Sequence, residues 1–253
     1  MRARVNHEEA VRRLEESRRL TLARIGQVND KVLSRAHPFF PSNNGPVMRA
    51  WPSSVLGKQL LVRRKDSVVV VTDGLSDPWD PELHPNAPKW TFGFELALEV
   101  PLGSLSDVSD EAIRGSWIPT TLWAATDWVA AEKVDIKGRL LKFDCATHAI
   151  PRVGGLEKLV GANGFIGGLL GVPYAGDQLC SQLVLAPEPN NPKDAIWLLP
   201  LKLLTADEYD WAVGVQDGAR AKALAEAFLR DSQRTLSWLD RPSILPKLGV
   251  AAK

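Results

Sequence analysis

The chain has 253 residues, 31 Lys and Arg against 30 Asp and Glu, a formal net charge of +1, 45% apolar residues and 24% charged ones. That balance excludes a disordered chain, which needs low hydrophobicity with high net charge. It also argues against a generic nucleic-acid binder, whose affinity rests on surplus cations facing phosphates. Cys145 and Cys180 are too few for a disulfide framework or a four-Cys zinc site. No stretch approaches the roughly 18 apolar residues of a membrane span, and the N-terminus lacks the apolar core of a secretory signal, so the expectation is a soluble, cytoplasmic protein.

Residues from His7 to about Arg35 predict a helix, with Glu15 and Glu16 at pairing distance from Arg18 and Arg19. Its apolar stripe (Val11, Leu14, Leu22, Ile25, Val28, Val32) is broken by Arg18, which argues against a long coiled coil. A turn-rich loop, His37 to Pro46, follows. Gln59–Val62 and Ser67–Thr72 predict strands, and the unalternating run Val68 to Val71 calls for cover on both faces. After a loop studded with proline, Phe92 to Val100 alternates: Phe92, Phe94, Leu96, Leu98 and Val100 on one side, Gly93, Glu95, Ala97 and Glu99 on the other. That pattern predicts a half-exposed strand with the two glutamates on its wet side.

Pro119 to Ala131 predicts a helix and Gly138 to Cys145 a further strand, while Gly154 to Gly176 reads as irregular. Ser181–Leu185 and Ile196–Leu204 predict strands, and Thr205-Ala-Asp-Glu208 is a capping box opening a helix to about Val213. A last helix runs from about Asp217 to Leu239, and the chain after Pro242 is expected to be loose. Without regular βα alternation, the fold class is α+β: a mixed, mainly antiparallel sheet packed with helices, with an N-terminal helical extension.

Catalytic motifs are sparse. Gly161-Ala-Asn-Gly-Phe-Ile-Gly-Gly168 lacks the G-x-G-x-x-G spacing, and there is no Walker A sequence, G-x-S-x-G elbow or S-x-x-K pair. The four His are scattered, and the acidic loop Asp73 to His84 lacks EF-hand spacing, so neither a metal nor a cofactor is expected. Glu95 and Glu99 are about 13 Å apart by strand rise, too far for a glycosidase pair. The cysteines have no adjacent cation to activate a thiol and are expected to be structural. Of nine Trp, Trp197 and Trp211 sit in apolar runs and belong to the core. Trp51, Trp79 and Trp90 sit in proline-rich loops, where a ring either staples the loop down or anchors a partner.

Two segments carry a resemblance: Val68-Val-Val-Val-Thr-Asp-Gly-Leu-Ser-Asp-Pro-Trp79 and Gly93-Phe-Glu-Leu-Ala-Leu-Glu-Val-Pro101. A strand ending in T-x-G-L-S-D, a loop, then G-F-E-L on the next strand resembles the Suppressor-of-fused (SUFU-like) domain family. Ser181-Gln-Leu-Val-Leu and Ile196 to Tyr209 agree with its C-terminal part, and the likeness spans about Val55 to Arg230. It implies residues 1–37 as a helical extension, 38–240 as a SUFU-like domain and 241–253 as a loose tail. It also implies a non-enzymatic domain that binds proteins; stand-alone bacterial members resemble immunity proteins that neutralise a toxin. The expected partner is therefore a protein, a toxin or effector encoded nearby, met by Asp73, Ser76, Asp77, Trp79, Asp80, Trp90 and Glu95, the acidic residues steering a basic surface. Two alternatives stand beside it. One is a hydrolase-like enzyme whose site converges from loop 73–84 and strand 92–100, using Asp73, Asp77, His84 and Glu95. The other is a nucleic-acid contact through residues 1–35, which hold nine Lys and Arg against five Asp and Glu.

Overall fold

The computed structural model describes residues 2–29, 31, 33–36, 39–42, 45–48, 51–52, 56–80, 91–132, 135–174, 176–180, 182–186, 195–215 and 218–250. Six α-helices are described: α1 (Arg2–Leu22), α2 (Asp110–Gly115), α3 (Trp117–Glu132), α4 (Ile136–Phe143), α5 (Ala206–Val213) and α6 (Ala219–Arg230). The strands are β1 (Gln27–Val28), β2 (Leu33–Ala36), β3 (Phe39–Ser42), β4 (Gly45–Met48), β5 (Leu56–Arg63), β6 (Ser67–Thr72), β7 (Phe94–Pro101), β8 (Ala146–Ile150), β9 (Ile166–Leu170), β10 (Leu183–Ala186), β11 (Ile196–Pro200) and β12 (Lys202–Leu203). The fold is α+β.

The main sheet runs β1-β5-β6-β7-β11-β10, with β2 also paired to β5. Its pairs are antiparallel except β7 with β11. After Pro200 the chain steps from this sheet into a smaller one, β12-β9-β8. β6 and β7 lie at the centre, and alternation on each strand divides their residues between two cores. Val68, Val70, Leu96, Leu98 and Val100 pack with Ile118, Leu122 and Ala125 of α3. Val69, Val71 and Ala97 pack with Leu22 of α1, Leu60, Leu185 and Leu198. A third core joins β9 to α5 and α6 through Leu169, Tyr209, Leu224 and Phe228. The Val run of β6 is buried throughout, as its lack of alternation requires.

The first helix ends at Leu22, and the chain turns back into the strands β1 and β2 instead of continuing to Arg35. Helix α1 lies on the sheet: Ser17 and Thr21 hydroxyls donate to the Leu185 carbonyl of edge strand β10 (2.9 and 3.2 Å), occupying an acceptor on that edge. The second face of β7 is covered too, at Glu95 by Arg18 of α1 and at Glu99 by Arg64 and Thr235. Glu95 and Glu99, expected on a wet face, are 0% and 4% exposed.

Residues 136–143 form a helix where a strand is expected, because the Asp135 side chain caps it by accepting from the Gly138 N–H (2.8 Å). The glycine-rich stretch contains the buried strand β9. A side chain at Gly167 would lie 2.4 Å from Tyr209, so glycine is what lets α5 close on that strand. The capping box at Thr205 forms as its spacing demands, and α5 ends at Val213. Helix α6 stops at Arg230, short of the expected Leu239. The segment beyond it packs instead of hanging loose: Arg241 is buried on Glu208, whose carboxylate also accepts from the Ile244 N–H, and Ile244 and Leu245 join the third core.

Candidate functional site

Strand β6 ends at Thr72, and the chain turns through Asp73-Gly-Leu-Ser-Asp77. Gly74 has a φ of +118°, a conformation open to glycine and strained for other residues. This turn aims three successive backbone N–H groups, from Gly74, Leu75 and Ser76, at the Glu95 carboxylate on β7 (3.1, 3.2 and 3.0 Å). The Ser76 and Thr72 hydroxyls add bonds of 2.6 and 2.5 Å, so five donors converge on one carboxylate.

Arg18 enters from the other side. It occupies the stripe of α1 that faces the sheet, between Leu14 and Leu22, where its charge would be prohibitive without partners. Its Nε donates to Asp73 Oδ1 (2.9 Å), and its Nη1 donates to Asp77 Oδ1 (2.5 Å) and to Ser76 Oγ (3.4 Å). Nε also lies 3.9 Å from Glu95 Oε1, and the four charged side chains are each 2% exposed or less. Arg18 Nη2, equally buried, makes no hydrogen bond.

One guanidinium thus faces three carboxylates away from water, and the charges cannot all balance. Burial pushes the Glu95 carboxyl up to about 7, against the pull of Arg18 and its hydroxyl donors. Burial likewise raises Asp73, again opposed by Arg18. Burial alone would lower Arg18, but Glu95, Asp77 and Asp73 together hold it above its ordinary value. Near neutral pH the cluster therefore sheds excess negative charge by keeping a proton on Glu95. On protonation the Thr72 contact reverses, Glu95 donating to Thr72 Oγ1 while that hydroxyl turns to the Leu96 carbonyl (3.5 Å).

Of the seven residues singled out by sequence, the fold brings Asp73, Ser76, Asp77 and Glu95 together, but inside the molecule. Trp79 and Asp80 sit half-buried at its rim: Trp79 packs on Phe92 (ring centroids 5.6 Å apart), and Asp80 lies 4.0 Å from His7 Nε2 of α1. Trp90, with His84, lies outside the described residues. The residue that sequence reasoning missed is Arg18, visible only as a break in an apolar stripe. Trp51 staples its loop to the core at 1% exposure, while Trp197 and Trp211 are only partly buried against their cores, beneath Lys137 (4.7 Å) and Arg220 (5.3 Å).

Other reactive groups are equally withdrawn. Burial pushes the Cys145 thiol up to about 11 and the Cys180 thiol up to about 12, and both cysteines are free. His148 is buried with Nε2 3.0 Å from the Ala125 carbonyl, and burial brings its pKa down to about 4. Among the described residues no group of three His, Cys, Asp or Glu side chains is arranged to hold a metal ion, and no helix is long and apolar enough to cross a membrane. Comparison of the chain with protein-family models, with curated proteins and with solved structures returns no match of any of the three kinds.

Proposed function

We propose that this chain is a protein-binding domain with no catalytic step of its own, a SUFU-like domain acting as an immunity or antitoxin-like inhibitor that occludes a toxin or effector. The observation that carries this reading is how the carboxylates are used. An enzyme built on Asp73, Asp77 and Glu95 needs lone pairs and a path for substrate. Here the Glu95 oxygens accept five internal bonds, and Asp73 and Asp77 each hold Arg18. What such a cluster supplies is rigidity. It pins α1, the turn after β6 and strand β7 to one another, and so fixes the base from which Trp79 and Asp80 meet solvent.

A preorganised rim lowers the entropic cost of association, and an aromatic ring beside a carboxylate suits a partner with a basic, partly apolar patch. The test is affinity capture with the full chain against the products of neighbouring genes, repeated with Asp80→Arg and with Trp79→Ala. One partner retained at micromolar concentration by the wild type, and bound at least about tenfold more weakly by both variants, supports the reading. Absence of any such partner, or binding indifferent to both substitutions, rejects it.

A further inference from the structure

A second polar cleft lies at the opposite end of β6 and β7. The β5–β6 turn, closed by the Arg64 N–H on the Ser67 carbonyl (2.9 Å), faces the Pro173–Tyr174 segment and residues 232–236 after α6 across a cavity of about 350 Å³. That volume falls at the lower end of the range for small-molecule sites. Glu99 forms its floor, 4% exposed and fully bonded: Oε1 accepts from Arg64 Nη1 and Ser67 Oγ (both 2.6 Å), Oε2 from Thr235 Oγ1 (2.7 Å).

Glu99 uses only one end of the Arg64 guanidinium. Nη1 donates to Glu99, and the guanidinium lies over the Tyr174 ring, 5.6 Å from its centre. The Tyr174 hydroxyl is shielded from water beside Arg64, without a hydrogen bond of acceptable geometry. Buried hydroxyls are normally satisfied, and one left open at a cleft wall marks a place for a ligand atom. Two exposed cations complete the rim, Lys65 and Arg234, neither of them ion-paired, and Arg234 is held at a φ of +35°, disfavoured for a non-glycine residue. With Arg64 neutralised by Glu99, Lys65 and Arg234 outweigh the one remaining carboxylate of the cleft, Asp66.

We propose that this cleft binds an oxyanion, the phosphate or carboxylate group of a small molecule, on the guanidinium N–H groups of Arg64 that Glu99 does not hold, with the Tyr174 hydroxyl as a further donor and Lys65 and Arg234 flanking. A guanidinium held from behind by one carboxylate presents its remaining N–H groups in a fixed plane, the arrangement that suits bidentate recognition of a second oxyanion. This site is separate from the Arg18 cluster and does not depend on a protein partner.

Titration of the full chain with inorganic phosphate and, separately, with succinate, followed by backbone amide shifts, tests it and distinguishes the two oxyanion sources. The expected result is saturable binding of at least one of them, with the shifts centred on residues 64–67 and 232–235. Both Arg64→Gln and Arg234→Gln should raise the dissociation constant about tenfold or more. Arg64→Lys, which keeps a cation on Glu99 but lacks the planar fork, takes the place of Arg64→Gln if the latter does not fold. No saturation by either anion, or weakening in fewer than both positions, overturns the proposal.

Discussion

Replacing Glu95 with Gln separates the charge of the buried cluster from its shape. The folded chain holds the Glu95 carboxyl at about 7 against an ordinary value of 4.5, because burial penalises the ionised form. Between those values the folded state keeps a proton that the unfolded state has released, so stability falls as pH rises through the window. Roughly two and a half pH units at about 1.4 kcal/mol each amount to about 3 kcal/mol across the whole window, most of it between pH 5 and 8. Gln cannot ionise, and its amide nitrogen cannot accept the Leu75 N–H that now reaches Glu95 Oε2, a loss of about 1–3 kcal/mol at all pH values. The variant should therefore be less stable than wild type at pH 5, and the gap should close by about 2–3 kcal/mol, to near zero or beyond, by pH 8. Urea unfolding followed by tryptophan fluorescence at constant ionic strength measures this directly. His148, whose buried ring titrates with the opposite sign, is common to both chains and cancels in the difference. A gap constant from pH 5 to 8 would refute the reasoning and show that Arg18 holds Glu95 ionised across that range.

Two further outcomes are expected. Gly167→Ala places a methyl group 2.4 Å from Tyr209 and should destabilise by at least about 1–3 kcal/mol, as overpacking does; an unchanged urea midpoint would show that α5 does not close on β9 as described. With thiols held at about 11 and about 12, Cys145 and Cys180 should react with an aromatic disulfide at pH 8 at least about 100-fold more slowly than free cysteine, and fully in guanidinium. Stoichiometric reaction of the folded chain within seconds would contradict that.

Much of the frame was legible in local sequence. The Val run of β6, the alternation of β7 and the Thr205 capping box each announce themselves through a single mechanism acting over a few residues. The failures share a different cause. Alternation on β7 assigns Glu95 and Glu99 to the second face correctly, but whether that face meets water depends on distant segments: Arg18 of α1, 77 positions before Glu95, and Thr235, 136 positions after Glu99. Arg18 was the available signal: a cation in the middle of an apolar stripe needs buried carboxylates, and an alternating strand that carries glutamates offers them. Residues 136–143 illustrate a closer contest, in which a short ambiguous apolar run is settled by Asp135 three positions before Gly138. The strand β9 was hidden by Gly167 and Gly168, read as looseness when their role is to admit Tyr209 and Leu201. Loop position likewise says little about a tryptophan, since Trp51 is wholly buried and Trp197, on a strand, is only partly buried against the same core.

Amide hydrogen exchange at Gly74, Leu75 and Ser76 tests most directly whether the acidic turn is a sealed clasp. All three N–H groups are committed to Glu95 beneath Arg18, so their protection should lie within about tenfold of that of Val69 to Val71 in β6. In Arg18→Met, which leaves the buried carboxylates without their cation and should cost about 3–5 kcal/mol overall, these three amides should lose protection first while the strand retains its own. Rapid exchange of Gly74, Leu75 and Ser76 in the wild-type chain, at the rate of an open loop, would mean that solvent and substrate reach these carboxylates, and the clasp would have to be given up.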